Sequence, residues 1–322
     1  MSSEVSEKIS VLVPSYNHAR FVERCLRSIF GQTLRPAGLL VIDDGSTDDS
    51  VDVIEKVLAD CPFPAELIVN QNRGLCATLN EGLSKTTGEY FAYLGSDDLW
   101  FPEFLRSRFG LLERRNSAVL AYGNAYLIDE SDRIFECTAD WKNFSFPDGD
   151  PRPMLYIGTA PVSSSVCYRR SALEKRGWNE NARLEDYELY LLLAEDGDFA
   201  FDDDILAAWR RHGANTSRDL DFMLTECLNA QIRAAGKLGW PEKKLSSVNK
   251  KTRFFYAGEF DRAGNKKMAR SLLFSNLGGA GSWTLLLRSL IRIFVPAWLL
   301  DKRKRNIRAQ KIKEYGNAAD RS

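Results

Sequence analysis

The sequence predicts an α/β fold, a mainly parallel sheet flanked by helices with a helical C-terminal extension. Two observations carry that reading. Over the first hundred residues, short apolar runs rich in branched side chains alternate with segments whose apolar positions recur at helical spacing. Strands that alternate with helices in this way need crossover connections, which make neighbouring strands parallel.

Ile9 to Val13 is a strand closed by Pro14, and Ala19 to Phe30 carries Phe21, Val22, Leu26, Ile29 and Phe30 at helical spacing. Leu39 to Ile42 is a second strand, ending at Asp43-Asp44-Gly45-Ser46, after which Thr47 can cap a helix running to Leu58. Glu66 to Val69, Leu75 to Leu83 and Tyr90 to Leu94 continue the rhythm as strand, helix and strand. Beyond Trp100 the pattern gives a helix from Pro102 to Arg114, a strand from Ala118 to Ile128 and a Pro/Gly/Asp-rich loop from Asn143 to Pro153. Val162 to Tyr168 follows as a strand, Leu184 to Ala194 as a helix opened by Glu185-Asp186, and Phe199 to Trp209 as a strand leading into "RRHGANTS". After Arg218 the chain reads as helical, with a glycine-marked turn between two helices around Gly264. The expected division is 1–218, with halves 1–100 and 101–218, followed by a helical region 219–322.

With 322 residues, 44% hydrophobic and 27% charged, the chain has ample material for a core and is not disordered. Forty-four basic residues balance forty-four acidic ones, so no global field favours nucleic acid. Six scattered cysteines form no Cys-x-x-Cys pair, which argues against a disulfide framework or zinc site and fits a reducing cytoplasm. "MSSEVSEKIS" lacks the basic and apolar regions of a secretory signal, and no apolar run reaches the roughly 20 residues of a spanning helix.

In open parallel sheets, ligands gather at the carboxyl ends of the strands. Pro14-Ser15-Tyr16-Asn17, Asp43-Asp44-Gly45-Ser46 and Gly95-Ser96-Asp97-Asp98 all fall at such ends. Any one of them alone reads as a turn or a helix cap. Together they place carboxylates on one edge, where a hard divalent cation takes oxygen ligands beside substrate phosphates. His18, beside the Tyr-Asn turn, reads as a helix-entry residue.

The segments "ISVLVPSYNHARFVERCLRSIFGQT", "LLVIDDGSTDDS", "NRGLCATLNEGL" and "GEYFAYLGSDDLW" together resemble the nucleotide-sugar-binding half of glycosyltransferase family 2, whose fold is GT-A. "ARLEDYELYLLLAEDG" and "WRRHGANTS" resemble that family's later acidic and basic segments. The resemblance implies an inverting transferase moving a sugar from a nucleotide-diphosphate donor, UDP- or dTDP-linked, to a glycan or lipid-linked glycan hydroxyl, with Mn²⁺ or Mg²⁺ as cofactor. By position, Pro14, Tyr16 and Asn17 would line the nucleotide pocket and Asp44 would meet the base. Asp97 would approach the ribose or the metal's waters, Asp98 would ligate the metal, and Asp186 would be the general base. His212 would touch the metal or diphosphate, with Arg210 or Arg211 adding charge. Gly95 stands where many relatives carry a further aspartate, and Leu79-Asn80 where many carry Arg-Asn, so Arg73 or another basic group would have to compensate. Two other readings fit parts of the chain: a nucleotidyltransferase, for which "PSYNHAR" offers no glycine- and lysine-rich phosphate loop, and a catalytically silent sugar-nucleotide or protein-binding module.

Residues 283–300, "WTLLLRSLIRIFVPAWLL", interleave Arg288 and Arg292 with leucines and aromatics ahead of the basic run Lys302 to Arg305. This reads either as a helix lying in an anionic membrane interface or as a last helix packed on the body of the protein. The first alternative makes the inner face of the cell membrane the expected setting, with bacterial surface polysaccharide biosynthesis as the pathway.

Overall fold

The computed structural model describes residues 4–141, 146–213 and 219–321, with the side chains of 4–6 and 297–305 outside the description. The expected loop therefore lies outside it at 143–145, as does the end of "RRHGANTS" at 214–217.

The first half alternates as anticipated: β1 (Glu4–Ser15), α1 (Val22–Phe30), β2 (Leu34–Asp43), α2 (Ser50–Leu58), β3 (Ala65–Val69), α3 (Leu75–Lys85) and β4 (Tyr90–Tyr93). β3, β2, β1 and β4 lie side by side in that order, every pair parallel. Successive side chains of β1 enter different cores: Ile9, Val11 and Val13 pack with α1 and α2 residues, while Leu12 packs on the opposite face. A strand covered on both faces needs an unbroken apolar run, and "ISVLV" comes close to one. On the Leu12 side, α3 comes so near that a Cβ at Gly82 would sit 2.4 Å from the Leu12 Cδ2 atom.

The sheet continues through β5 (Leu99–Trp100), α4 (Phe104–Arg114), β6 (Ala118–Ile128), β7 (Ile134–Cys137), a single turn α5 (Arg152–Leu155), β8 (Cys167–Arg169), α6 (Arg170–Arg176), α7 (Glu185–Leu193) and β9 (Asp198–Arg210). Beyond β4 the strand order is β8, β6, β9, β5, with β7 on β6. β8 runs antiparallel between β4 and β6, while the long β6–β9 ladder is parallel. The sheet is thus mostly parallel, as the alternation predicts. The expected strand 162–168 is shorter in the structure, because Ser163–Ser165 form a 3₁₀ turn before β8 begins.

Helices α8 (Leu220–Leu238), α9 (Glu242–Arg262) and α10 (Lys266–Ser275) cover α7 and extend the core under it, with Gly264 at φ 85° in the turn. Gln231 of α8 donates to the Tyr187 hydroxyl of α7 and to Thr252 of α9, at 2.7 and 2.6 Å, joining three helices through buried polar groups. The segment 283–300 divides at Pro296 into α11 (Trp283–Arg292) and α12 (Ala297–Tyr315). Leu286, Leu290 and Ile293 of this stretch pack on the main core, so the packed-helix alternative holds for one face. The tail then returns to the β6–β7 hairpin, where the Ala318 N–H donates to the Asp132 carbonyl at 2.9 Å. No helix among the described residues is long and apolar enough to cross a membrane.

Candidate active site

Three strand ends build one edge. At β1, Ser15 is followed by an exposed Tyr16, 46% accessible, and by Asn17 at φ 55°, a left-handed conformation that asparagine tolerates better than most residues. The Asn17 side-chain oxygen accepts from the Thr47 N–H at 2.8 Å, and its own N–H donates to the Ser46 hydroxyl at 2.8 Å, so the β1 and β2 loops are tied together. Pro14 is buried in the strand, paired with Ile42.

At β2, Asp43 and Asp44 are both buried. Asp43 accepts from the Ser46 N–H and hydroxyl at 2.7 and 2.6 Å. Asp44 receives the backbone N–H groups of Arg73 and Gly74, each at 2.8 Å, and so fastens the β3–α3 loop to the edge. That approach leaves no room for a side chain at Gly45, whose φ is 79° and whose Cβ would lie 2.7 Å from the Asn72 nitrogen. The Arg73 guanidinium turns instead to Glu81 and is half exposed.

At β4 the two aspartates part. Asp97 points toward two imidazoles: His212 Nε2 lies 3.0 Å from one of its oxygens, and His18 Nδ1 lies 3.9 Å from the other. His18 also meets the Ser96 hydroxyl at 2.8 Å and crosses the His212 ring edge-on at 5.6 Å between centroids. Burial would raise the Asp97 carboxyl, but the His212 hydrogen bond and the His18 charge outweigh it and hold it below the usual range. Burial lowers His18 despite the nearby Asp97, a direction that favours the unprotonated imidazole a metal would bind.

Asp98 faces inward. It is 5% exposed and accepts the Arg210 backbone N–H at 2.8 Å. Burial and the neighbouring Asp97 charge push it well above the ordinary carboxylate range, against the opposing pull of Arg210. The sequence-based expectation that Asp98 grips a cation thus meets a residue turned onto the Arg210 amide, while the partly buried Asp97 stands beside the two imidazoles. The pair lies in the turn between β4 and β5, closed by the Asp98 N–H donating to the Gly95 carbonyl at 2.9 Å, and that turn sends the two carboxylates to different partners.

Arg210, at 1% exposure, is the joint of this arrangement. Its Nε donates to the Asp97 carbonyl at 2.6 Å, one terminal nitrogen to the Asp129 carbonyl at 2.8 Å, and the other pairs with buried Asp132 at 2.5 Å. Arg24 pairs with the same aspartate. Arg211, by contrast, lies over the Trp209 ring at 4.6 Å and lines an open cleft of about 310 Å³ with Arg20, Asp129, Arg133 and His212. In the sequence Arg210 reads only as added charge and His18 only as a helix entry, since their shared role around Asp97 does not exist until β9 is brought beside the start of α1.

The second acidic pair opens α7. Glu185 and Asp186 are partly buried near Tyr93, the last residue of β4, whose hydroxyl their charge helps to raise, and near Cys76 at the start of α3. Burial, then the Glu185 charge, lifts Asp186 well above the usual range. Burial also raises Glu185. This pair therefore sits on a different element from Asp97, at the same edge of the sheet.

A mostly parallel sheet with acidic groups gathered at its carboxyl edge puts them where α/β proteins of this type collect their ligands. The chain belongs to glycosyl transferase family 2, whose model matches residues 10–177. It is 32% identical over 171 residues to an uncharacterized glycosyltransferase of Nostoc sp., covering 52% of each chain. To chondroitin synthase of Escherichia coli it is 25% identical over 248 residues, covering 74% of this chain and 34% of that one. The chain thus spans only about half and about a third of these relatives. The GT-A fold is shared with S. aureus TarS 1-349 in complex with UDP-GlcNAc, at TM-score 0.58 and 15% identity, covering 96% of this chain and 89% of that one. It is shared equally with mannosyltransferase PcManGT from Pyrobaculum calidifontis in complex with GDP-Man and Mn²⁺, at TM-score 0.58 and 17% identity, covering 95% and 86%.

Proposed function

We propose that this protein is an inverting glycosyltransferase that moves a sugar from a nucleotide-diphosphate donor, UDP- or dTDP-linked, to the hydroxyl of a glycan or lipid-linked glycan in bacterial surface polysaccharide biosynthesis. The observation that carries the proposal is the separation of two carboxylates by task. Asp97 is held below the ordinary carboxylate range between two histidines, and Asp186, on a different element, is raised above it.

The ligand atoms of His18, Asp97 and His212 lie within 4.8 Å of one another, a spacing that small side-chain movements close around a cation with bonds of about 2.1 Å. The donor set fits a divalent ion, and its two imidazoles favour Mn²⁺ over Mg²⁺. In this reading Asp97 and His212 hold the ion with His18 beside them, and Asp98 fixes the turn from within. When bound, the ion would neutralise charge on the departing nucleotide diphosphate.

The chain's own residues supply the rest. Tyr16 offers an exposed ring to the nucleobase, and Asp44 keeps carboxylate lone pairs beyond those used by the two loop amides. Asn17 holds the wall of the pocket in place, Pro14 its floor, and Arg211 and Arg73 stand at its rims. Asp186 takes the proton of the acceptor hydroxyl as that oxygen attacks the anomeric carbon opposite the leaving diphosphate, which inverts its configuration. The expected setting is cytoplasmic, at the inner face of the membrane where lipid-linked acceptors are met.

A thermal-shift screen of UDP-, GDP- and dTDP-sugars with and without Mn²⁺ tests this directly. One UDP- or dTDP-sugar is expected to raise the melting temperature only in the presence of the ion, because a ligand confined to the folded state stabilises it. Stabilisation by no donor, with no transfer or hydrolysis of a labelled one, would favour the silent-module reading.

A further inference from the structure

The charge balance of the whole chain conceals two opposed regions. Residues 262–322 hold fourteen basic and three acidic residues, leaving thirty basic and forty-one acidic before them. Between Arg262 and Leu300 there is no acidic residue at all. Such a concentration lies far from the candidate active site in sequence and has no part in the chemistry assigned there.

The structure places a lipophilic surface inside this basic region. α11 buries one face only, through Leu286, Leu290 and Ile293. Its other face presents Trp283, Leu287 and Ile291, at 85, 60 and 62% exposure and four apart along the helix, and Phe294, 68% exposed in the turn that follows, continues that line three residues on. Exposed apolar side chains are ordinary when single, but a continuous stripe of this size on one helix marks a contact surface. The outward side of α10 extends it. Lys267, Arg270 and Phe274 share that side, Phe274 is 52% exposed, and the Arg270 guanidinium lies 5.7 Å from the Phe294 ring centre. Arg288 is exposed on α11 itself.

We propose that the α10–α11 face docks the protein on an anionic lipid bilayer, with Trp283, Leu287, Ile291 and Phe294 entering the headgroup boundary and Lys267, Arg270 and Arg288 meeting lipid phosphates. The basic surround selects this occupant. A protein partner covering an apolar stripe needs no such excess of one charge, whereas an interfacial helix combines an apolar face with cations that an acidic leaflet attracts. Trp283, amphipathic and at the start of the helix, suits the headgroup level. Ser282 caps α11 by accepting the Leu285 N–H at 3.2 Å, so the helix stands formed before any lipid arrives. The proposal is independent of the donor and of the catalytic roles assigned at the sheet edge.

The test is sedimentation of the full-length protein with vesicles of phosphatidylcholine alone and of phosphatidylcholine with 30 mol% phosphatidylglycerol, at low and at 0.5 M salt. Binding is expected to the anionic vesicles, weakened by salt, and at least about tenfold weaker in a Leu287→Ser/Ile291→Ser variant and in Arg270→Glu/Arg288→Glu. All four side chains are solvent-facing, so melting temperatures and donor-induced stabilisation should match wild type. Wild-type binding equal on both vesicle types, no binding to either, or variants that sediment like wild type would each overturn the proposal. So would a lipid-insensitive dimer that the Leu287→Ser/Ile291→Ser change converts to monomer, since that assigns the stripe to a second copy.

Discussion

Asp97-Asp98 and Glu185-Asp186 look like one motif, two neighbouring acids at the start of a new element, yet the fold treats them oppositely. The first pair lies in the turn between β4 and β5, where one carboxylate meets two imidazoles and the other is held inward by the Arg210 amide. The second pair opens a helix, where burial, with no cationic charge among the leading opposing influences, raises both carboxyls. Adjacent charge thus acquires its chemistry from the partner brought across the fold. Beside two imidazoles it makes an anchor for a cation, and buried at a helix start it makes a group that holds a proton.

The sharpest way to break this contrast is to neutralise each member of the first pair separately. Asp97→Asn is expected to abolish Mn²⁺ binding in calorimetry and to lower kcat/KM on the order of 10³-fold, the several kcal/mol that a metal contributes to a charged leaving group. Asp98→Asn retains an oxygen for the Arg210 amide and should keep measurable Mn²⁺ affinity. If the second change removes the ion and the first does not, the two residues exchange roles.

Asp186→Asn addresses the second pair. Turnover should fall about 10²- to 10⁴-fold while Mn²⁺-dependent donor binding persists, as loss of a general base requires. The same change should raise the melting temperature at neutral pH. Because the folded protein holds the Asp186 proton more tightly than the unfolded chain does, the stability linked to it is complete below the ordinary aspartate range and is lost as pH rises through the raised value. The advantage of Asn over Asp should therefore vanish as the pH is lowered toward about 4, the ordinary aspartate value. Equal stability of the two proteins across that range would show that the fold does not raise Asp186.

The smallest of these effects in catalytic terms is the largest structurally. Arg210→Ala leaves Asp132 buried with one fewer cation and opens the strand end behind Asp97, and should cost about 3–5 kcal/mol in denaturant unfolding. Arg210→Lys keeps the charge but cannot reach the Asp97 carbonyl, the Asp129 carbonyl and Asp132 together, so an intermediate loss is expected.

Much of this protein was present in its residue order. The branched run Ile9 to Val13, the helical spacing of Val22 to Phe30 and the turn residues Asp43 to Ser46 specify local structure through steric preference and periodicity, and those forces act over a few residues. They sufficed to place three polar clusters on one sheet edge. Tertiary structure alone decided which acid of the first pair meets the histidines, that His18 joins His212 around Asp97, that Arg210 rather than Arg211 is the buried joint, and that one face of α11 remains uncovered. Each of these depends on where β9, α7 or the C-terminal helices come to rest against residues distant in the chain. Burial and charge pairing across such separations leave no periodic trace in the sequence.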